Sequence, residues 1–183
     1  IHTLHRQRSY DLTPYREKIE NTALTDKNSG LRATAVMAMR HIKDCDDILI
    51  KIASHDPDPK VRAAAILSIS DSNTIQFQDL ISKSLEDGSV WVAMNAANRL
   101  SGQWPVSYLK NLEHLALTSS IPEVKSAIVT AYLSNDSLRM EGENLWKRLH
   151  FKNDVEKSTL LKSIGYLSHM TDTLLKYSLE DSP

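Results

Sequence analysis

A histidine and two aspartates stand close together at His55, Asp56 and Asp58, directly before a run of alanine and aliphatic residues. Imidazole and carboxylate groups at such short spacing can bind a metal ion or transfer protons. The same pattern suits a polar turn in which the carboxylates cap the following helix and the histidine faces solvent. The turn interpretation is favoured, because no metal-binding signature such as HExxH accompanies these residues.

Other residues offer weaker signals of catalysis or metal binding. His2 and His5 stand three residues apart and could share a helical face, but they lie at the chain terminus. Glu141 and Glu143 are paired carboxylates in a predicted loop or helix start, where capping is the favoured role. Cys45 lies between two aspartates, which should raise the pKa of its thiol, so an inert thiol is predicted. Phosphate-binding glycine loops, dinucleotide fingerprints and nucleophile elbows do not occur. We therefore predict no catalytic residue, no metal and no cofactor.

The composition is that of an ordinary globular chain. Of its 183 residues, 41% are hydrophobic and 25% are charged, and the net charge is −1. This balance gives little long-range attraction to nucleic acid or to a membrane surface. No apolar run approaches the roughly 20 residues that span a bilayer. The chain begins with Ile1, so we expect it to be part of a longer protein, and we predict a cytoplasmic location unless a signal peptide has been lost.

The alanine-rich run recurs along the chain. Helical segments begin near residues 31, 61, 92, 124 and 155, at intervals of 30, 31, 32 and 31 residues. The positions four, five and eight residues after each start are mostly apolar, which places them and the start on one helical face. In the fifth segment, Thr159 and Ser163 interrupt this face. Such a period is typical of a repeat protein.

A shorter helical pattern precedes each segment, and a polar turn joins the two. The shorter patterns are "REKIENTAL", "DDILIKIAS", "FQDLISKSL", "SYLKNLEHLAL" and "ENLWKRLHF". Each repeat is therefore predicted to be a helix, a turn and a second helix. The stretch "DTLLKYSLEDSP" suits the first helix of a sixth repeat. We expect residues 1–14 to be an N-terminal extension or the end of a preceding element, and residues 15–183 to be the repeat array.

The turn "HDPDP" has a specific structural interpretation. Pro59 suits the first position of a helix, where its missing N–H would have no partner. Asp58 is a candidate N-cap, and Asp56 adds negative charge near the positive end of the helix dipole. An arginine at the start of a second helix can pair with an aspartate of its own turn or of the next. Arg32 and Arg62 are therefore predicted to stabilise the turns.

The stretch "DPDPKVRAAAILSI" resembles the HEAT repeat family, including its bacterial HEAT-like members. The resemblance rests on the Asp-Pro turn, on the pair Val61 and Arg62, and on the alanine-rich second helix. It recurs at residues 31–32 and, with lysine, at residues 124–125. Ala93 and Glu156 replace the arginine in the other two repeats, which weakens any arginine ladder there.

The resemblance covers about residues 15–183 and implies a fold. It implies an all-α, right-handed α-solenoid of stacked helix pairs, with about five HEAT-like repeats and part of a sixth. The second helices would line a concave surface, which in this family usually binds proteins. The resemblance specifies the architecture and leaves the activity open.

The predicted second helices are predominantly basic. They hold seven basic residues and one acid, whereas the acids concentrate on first helices and turns. A mildly basic concave face would suit a peptide or an acidic protein segment. The preference of acids for caps and turns explains the same asymmetry equally well. The candidate binding residues on this face are Met37, Arg40, Leu67, Asn98, Arg99, Thr130 and Lys162.

Three functions are compatible with these observations. The first is a non-catalytic scaffold that binds a protein or peptide partner, or another domain of a longer parent chain. The second, suggested by the resemblance, is a helical accessory region of a larger enzyme, such as a bilin lyase or the C-terminal helical domain of a peptidase. The third is nucleic-acid binding, which the net charge of −1 disfavours. Trp91, Trp104 and Trp146 are predicted to pack at junctions rather than to stack on bases.

Overall fold

The computed structural model describes residues 11–70, 74–100, 104–151 and 153–165. Within those ranges the chain forms eleven α-helices, one short 3-10 turn at Thr13–Tyr15, and no β-strand. The helices pack in neighbouring pairs, so the all-α solenoid fold class predicted from the sequence is confirmed. None of the helices in this part of the chain is long and apolar enough to cross a membrane.

The second helices of the five repeats begin one or two residues before their predicted starts. Side chains or prolines mark the beginning of several. Asn28 Oδ1 accepts hydrogen bonds from the amides of Gly30 and Leu31, and Pro122 occupies the first turn of its helix. The five are α2 (Ser29–Met39), α4 (Pro59–Ser68), α6 (Val90–Asn98), α9 (Pro122–Ser134) and α11 (Asp154–Gly165).

The first helices of the repeats differ in two places from their predicted bounds. They are α1 (Arg16–Thr25), α3 (Asp46–His55), α5 (Ile75–Leu85), α7 (Val106–Asn111), α8 (Glu113–Thr118) and α10 (Arg139–Arg148). The fourth is divided, because the amide of Leu112 bonds to the carbonyl of Leu109 in a tight 3-10 turn before α8 begins. The fifth begins earlier than predicted, so Glu141 and Glu143 lie near the start of a helix, which is one of the two predicted alternatives.

The chain divides into two compact units, Ile1–Ser72 and Asn73–Pro183. In the first unit α1 packs on α2, and α4 packs on both α2 and α3. In the second unit α5 packs on α6, while α9 contacts α6, α7, α8, α10 and α11. A single array over residues 15–183 stays a prediction. Most of the proposed N-terminal extension, and the whole predicted sixth-repeat helix, lie outside the described residues.

The apolar face of the second helices lies in the core of each unit. Alanines let neighbouring helices approach closely, and the larger aliphatic residues fill the remaining space. Burial of each of these larger side chains stabilises the fold by about 1.5–3 kcal/mol. The positions four, five and eight residues after the predicted starts are buried wherever the structure describes their side chains. They are Ala35, Val36, Met39, Ala65, Ile66, Ile69, Ala96, Ala97, Leu100, Ile128, Val129, Tyr132 and Leu160.

The start positions themselves are buried only in the three middle helices. Val61, Val92 and Val124 have no exposed surface. Leu31 is 52% exposed and Val155 is 74% exposed, so the prediction that they face the core is wrong.

The fifth second helix is shifted by one residue from the predicted register. The amide of Lys157 bonds to the carbonyl of Asn153, as the amide of Lys125 bonds to that of Ile121. Lys157 therefore stands where Arg32 stands in α2, and Glu156 occupies the buried start position. The predicted replacement of the arginine by Glu156 is thus corrected to a lysine one residue later.

Candidate binding surface

The cluster of His55, Asp56 and Asp58 forms a tight turn. His55 Nδ1 lies 3.0 Å from the carbonyl oxygen of Lys51. Asp56 Oδ1 accepts from the amide of Asp58 at 2.9 Å, and Asp58 Oδ1 accepts from the amide of Lys60 at 2.8 Å. Hydrogen bonds from Ser29 and from the Lys60 amide lower the pKa of Asp58. Among the described residues, no group of three or more potential ligands could hold a metal ion.

The same turn geometry recurs in the other repeats. A side chain that ends the first helix accepts a hydrogen bond from the amide two residues later, at the start of the second helix. This acceptor is Asp26, Asp56, Asp87 or Ser119, with distances of 2.8, 2.9, 2.8 and 3.1 Å. These side chains are therefore local parts of the turn, and their spacing follows from the repeat.

Arg32 joins neighbouring turns of the first unit. Its Nε and Nη2 atoms each lie 2.8 Å from a carboxylate oxygen of Asp56, and its Nη1 donates to the carbonyl of Asp26. The hydrogen bonds with Asp56 raise the pKa of the Arg32 guanidinium. Arg62 repeats one part of this arrangement, because its Nη1 donates to the carbonyl of Asp56 at 2.9 Å.

In the second unit, Lys125 stands at the position of Arg32 and forms a buried ion pair with an acid inside the next second helix. Lys125 Nζ lies 2.7 Å from Glu156 Oε1 and 3.4 Å from the carbonyl oxygen of His150. Both side chains of the pair are only 6% exposed. Sequence analysis missed this pair because the misplaced register treated Glu156 as a departure from the repeat. At the junction between α6 and α9, Ala93 stands at the position of Arg32 and Ser119 at the position of Asp56, so neither residue is charged.

Five of the seven candidate binding residues share one structural position once the register of α11 is corrected. Each of the five lies nine residues after the residue that precedes its second helix. The other two, Arg40 and Arg99, lie at the C-terminal ends of α2 and α6. The members at this position change character along the chain, from apolar in the first unit to polar in the second. They are Met37, Leu67, Asn98, Thr130 and Lys162.

In the first unit this position is open to solvent. Met37 is 55% exposed and Leu67 is 46% exposed, on two second helices that pack against each other. Arg40 caps the C-terminal end of α2 and is also exposed. The small residues Ala38 and Ala64 are half-buried beside them. We call Met37, Leu67 and the two alanines the α2–α4 face.

In the second unit, two of the corresponding residues contact or are covered by other groups of the same unit. The guanidinium of Arg99 lies over the ring of Phe77, 5.0 Å from its centroid. The hydroxyl oxygen of Thr130 is buried without a hydrogen-bond partner, because α6 and α11 both pack on α9. Asn98 and Lys162 are exposed. Thr130 is therefore only partly exposed, with its hydroxyl oxygen buried, and Arg99 contacts an aromatic ring of its own unit.

A cavity of about 420 Å³ lies at the C-terminal ends of α2 and α4. Arg40, His41 and Lys43 line it, together with Asp44, Asp46 and Ser70. The turn between α2 and α3 carries most of these side chains. Arg16 holds that turn by donating to the carbonyls of Lys43 and Asp44 at 3.1 and 2.9 Å.

The tryptophans do not all pack as predicted. Trp104 and Trp146 are each 6% exposed, and Trp104 stacks on Tyr108 with ring centroids 4.8 Å apart. Trp91 is 61% exposed, so the prediction that it packs at a junction is wrong. It lies in the first turn of α6, next to the fully buried Val92, and its side chain is on the exposed side of the helix.

The remaining candidate groups, Cys45, Glu141 and Glu143, lie in surroundings that fit a structural role. Cys45 is buried, and burial, more than its acidic neighbours, raises the pKa of its thiol. Glu141 Oε1 lies 3.2 Å from Lys110 Nζ in an exposed ion pair. Glu141 and Glu143 are two residues apart on a helix, so they do not share a face.

Comparison with known proteins agrees with the repeat seen in the structure. Residues 46–132 match the family model for HEAT repeats. Comparison with curated proteins and with solved structures found no match. HEAT repeats generally serve as protein-interaction scaffolds. The matched region contains the Asp-Pro turn, the Val61–Arg62 pair and the α4 alanines on which the resemblance rests, so the match supports HEAT-like helical repeats over residues 46–132.

Proposed function

We propose that this chain is a non-catalytic scaffold that binds a protein or peptide through the α2–α4 face of its first unit. The observation that carries the proposal is the exposure of Met37 and Leu67 at the same position of two packed helices. The partner is a separate protein or another domain of a longer parent chain.

Between the two packed helices, we expect the α2–α4 face to form a shallow apolar groove. Packed helices have axes about 8–10 Å apart, so side chains at equivalent positions are near neighbours. Ala38 and Ala64 leave room between the two larger side chains. Exposed apolar residues that cluster in this way are typical of interaction sites, whereas isolated ones are common on any surface. A partner helix could lie in such a groove.

The non-catalytic character is supported by what the titratable groups of the turns do. Asp56 and Asp58 accept backbone hydrogen bonds, and Asp56 also pairs with Arg32. Protonating either carboxylate would weaken the turn, so these groups are poorly suited to proton transfer. HEAT repeats are also typically non-catalytic.

Selection from a random peptide library tests the proposal. The full chain should select peptides whose affinity falls at least about tenfold when Met37 and Leu67 are both changed to serine. Both positions are exposed, so the double variant should keep its stability within about 0.5 kcal/mol. The matched control is Leu24→Ser on α1, since Leu24 is as exposed as Leu67 at 46%. Equal affinity of the double variant, or an equal loss in the control, would contradict the proposal.

A further inference from the structure

The cavity at the ends of α2 and α4 adjoins the α2–α4 face. Arg40 lines the cavity and lies three residues after Met37, so the two share one side of α2. The rise between them is about 4.5 Å. A segment bound across Met37 and Leu67 would therefore reach the cavity within one helical turn.

The basic groups of the cavity are available to a ligand. Arg40, His41 and Lys43 are all exposed, and their side chains have no hydrogen-bond or ion-pair partner among the described residues. Unpaired cations held at one place on a surface favour a negatively charged partner.

One of the two acidic side chains that line the cavity is engaged within the protein. The carboxylate of Asp46 accepts hydrogen bonds from both the amide and the hydroxyl of Ser70. The side chain of Asp44 is exposed, whereas its backbone carbonyl oxygen accepts a hydrogen bond from Arg16. The left-handed backbone of Asp44, with φ of 56°, belongs to the turn that Arg16 holds. The cations are therefore presented by a turn whose conformation is already set, which lowers the entropic cost of binding.

We propose that the cavity binds an aspartate or glutamate side chain of the partner segment that lies on the α2–α4 face. The partner is thus an acidic peptide segment, with an apolar residue against Met37 and Leu67 and a carboxylate about one helical turn away. A volume of about 420 Å³ holds such a side chain together with water. This inference rests on the proposed function and specifies the chemistry of its partner.

The test uses the full chain and a short fluorescent peptide with two leucines one helical turn apart and a glutamate three residues after each. Fluorescence anisotropy measures its Kd. Arg40→Glu and Lys43→Glu should each raise the Kd about tenfold, because they replace attraction by repulsion. Replacing the glutamates of the peptide by glutamine should weaken binding, and added salt should weaken binding of the glutamate peptide.

Two controls separate the cavity from general charge attraction. Lys27→Glu reverses an exposed charge at the opposite end of α2, about 17 Å along the helix, and should leave the Kd unchanged. A peptide with lysines in place of its glutamates should bind Arg40→Glu more tightly than it binds the unaltered protein.

The outcomes distinguish this inference from the proposed function. If the glutamate and glutamine peptides bind equally, and the Arg40 and Lys43 variants bind as the unaltered protein does, the carboxylate site is wrong while the apolar face stands. An equal loss in Lys27→Glu also overturns the site, because the attraction would then be unspecific. If no peptide binds the α2–α4 face at all, the proposed function fails as well.

Discussion

At the scale of single residues, charged groups that resemble a catalytic site belong to the joints between repeats. Asp56 accepts an amide hydrogen bond within its turn and pairs with Arg32 of the preceding repeat. In the second unit, Lys125 stands at the position of Arg32 and pairs with Glu156 of α11, and this pair is more deeply buried. A buried pair of this kind adds little net stability, but losing one partner is costly because the other charge stays buried.

Removing one member of the buried pair should destabilise the second unit strongly. Glu156→Ala is expected to lower the free energy of unfolding by about 3–5 kcal/mol, because it leaves the Lys125 ammonium without its counter-charge. Tryptophan fluorescence during urea unfolding measures the effect, since all three tryptophans belong to the second unit.

Two further variants test the physical reason. The double variant Lys125→Met, Glu156→Leu should recover most of the lost stability, because apolar residues of similar size can replace a buried pair. Glu141→Ala removes the exposed pair with Lys110, where both side chains are about half exposed, and should cost less than about 1 kcal/mol. Equal losses in Glu156→Ala and Glu141→Ala would contradict the interpretation.

The capping aspartate makes the first unit sensitive to pH. The lowered pKa of Asp58 means that its carboxylate stabilises the fold above its unfolded-state pKa of about 3.9 and loses this effect as the pH falls below it. Asp58→Ala should lower the melting temperature by a few degrees at neutral pH, measured by circular dichroism.

The difference from the unaltered protein should fade as the pH falls below about 4, because the unaltered carboxyl is then protonated too. Asp58→Asn keeps an acceptor oxygen for the Lys60 amide and should retain most of the stability. A difference that stays constant from neutral to acidic pH would show that the carboxylate is not its source.

At the scale of elements, the close approach of α9 and α10 depends on one glycine. A Cβ atom added at Gly142 would lie 3.0 Å from a methyl group of Leu133 and 3.1 Å from the Cβ of Tyr132. Tyr132 is buried and its Cβ moves only with the backbone of α9. The two helices can therefore keep their separation only with glycine at this place.

Gly142→Ala should destabilise the second unit by about 1–3 kcal/mol, although alanine is intrinsically the better helix former. Urea unfolding followed by tryptophan fluorescence measures the change. Gly88→Ala is the matched control, since a Cβ there would meet nothing within 4 Å, and it should be close to neutral. A stabilising effect of Gly142→Ala would mean that α10 shifts without cost.

At the scale of the whole molecule, the same repeat position lies in different surroundings in the two units. In the first unit the shared position carries Met37 and Leu67, both exposed. In the second unit α9 has neighbours on several sides, and Thr130 at the same position has a buried hydroxyl. The exposed apolar face is therefore found in the first unit, and we do not expect the proposed binding face to extend over every second helix.

The charge of the whole chain predicts that it does not bind nucleic acid. With a net charge of −1, the whole chain exerts little long-range attraction on phosphates. Labelled duplex DNA should show no change in anisotropy with the full chain, even at low salt, where phosphate contacts are strongest. Binding that weakens steeply with added salt would contradict this prediction.

The sequence by itself determined the features that depend on residues within one or two helical turns. The spacing of the second helices, the apolar positions that face their core, and the turn residues Asp56 and Asp58 follow from periodicity and capping. These are local preferences, and they hold whichever helices become neighbours.

The tertiary structure decided what depends on the neighbours. The register of α11 was misjudged by one residue, because Glu156 is an unexpected residue at a buried position and becomes intelligible only beside Lys125. Met37 and Thr130 occupy the same repeat position, yet Met37 is exposed whereas Thr130 is only partly exposed and has a buried hydroxyl oxygen. Burial is set by which helices contact each other, and a repeat pattern within one chain does not contain that information.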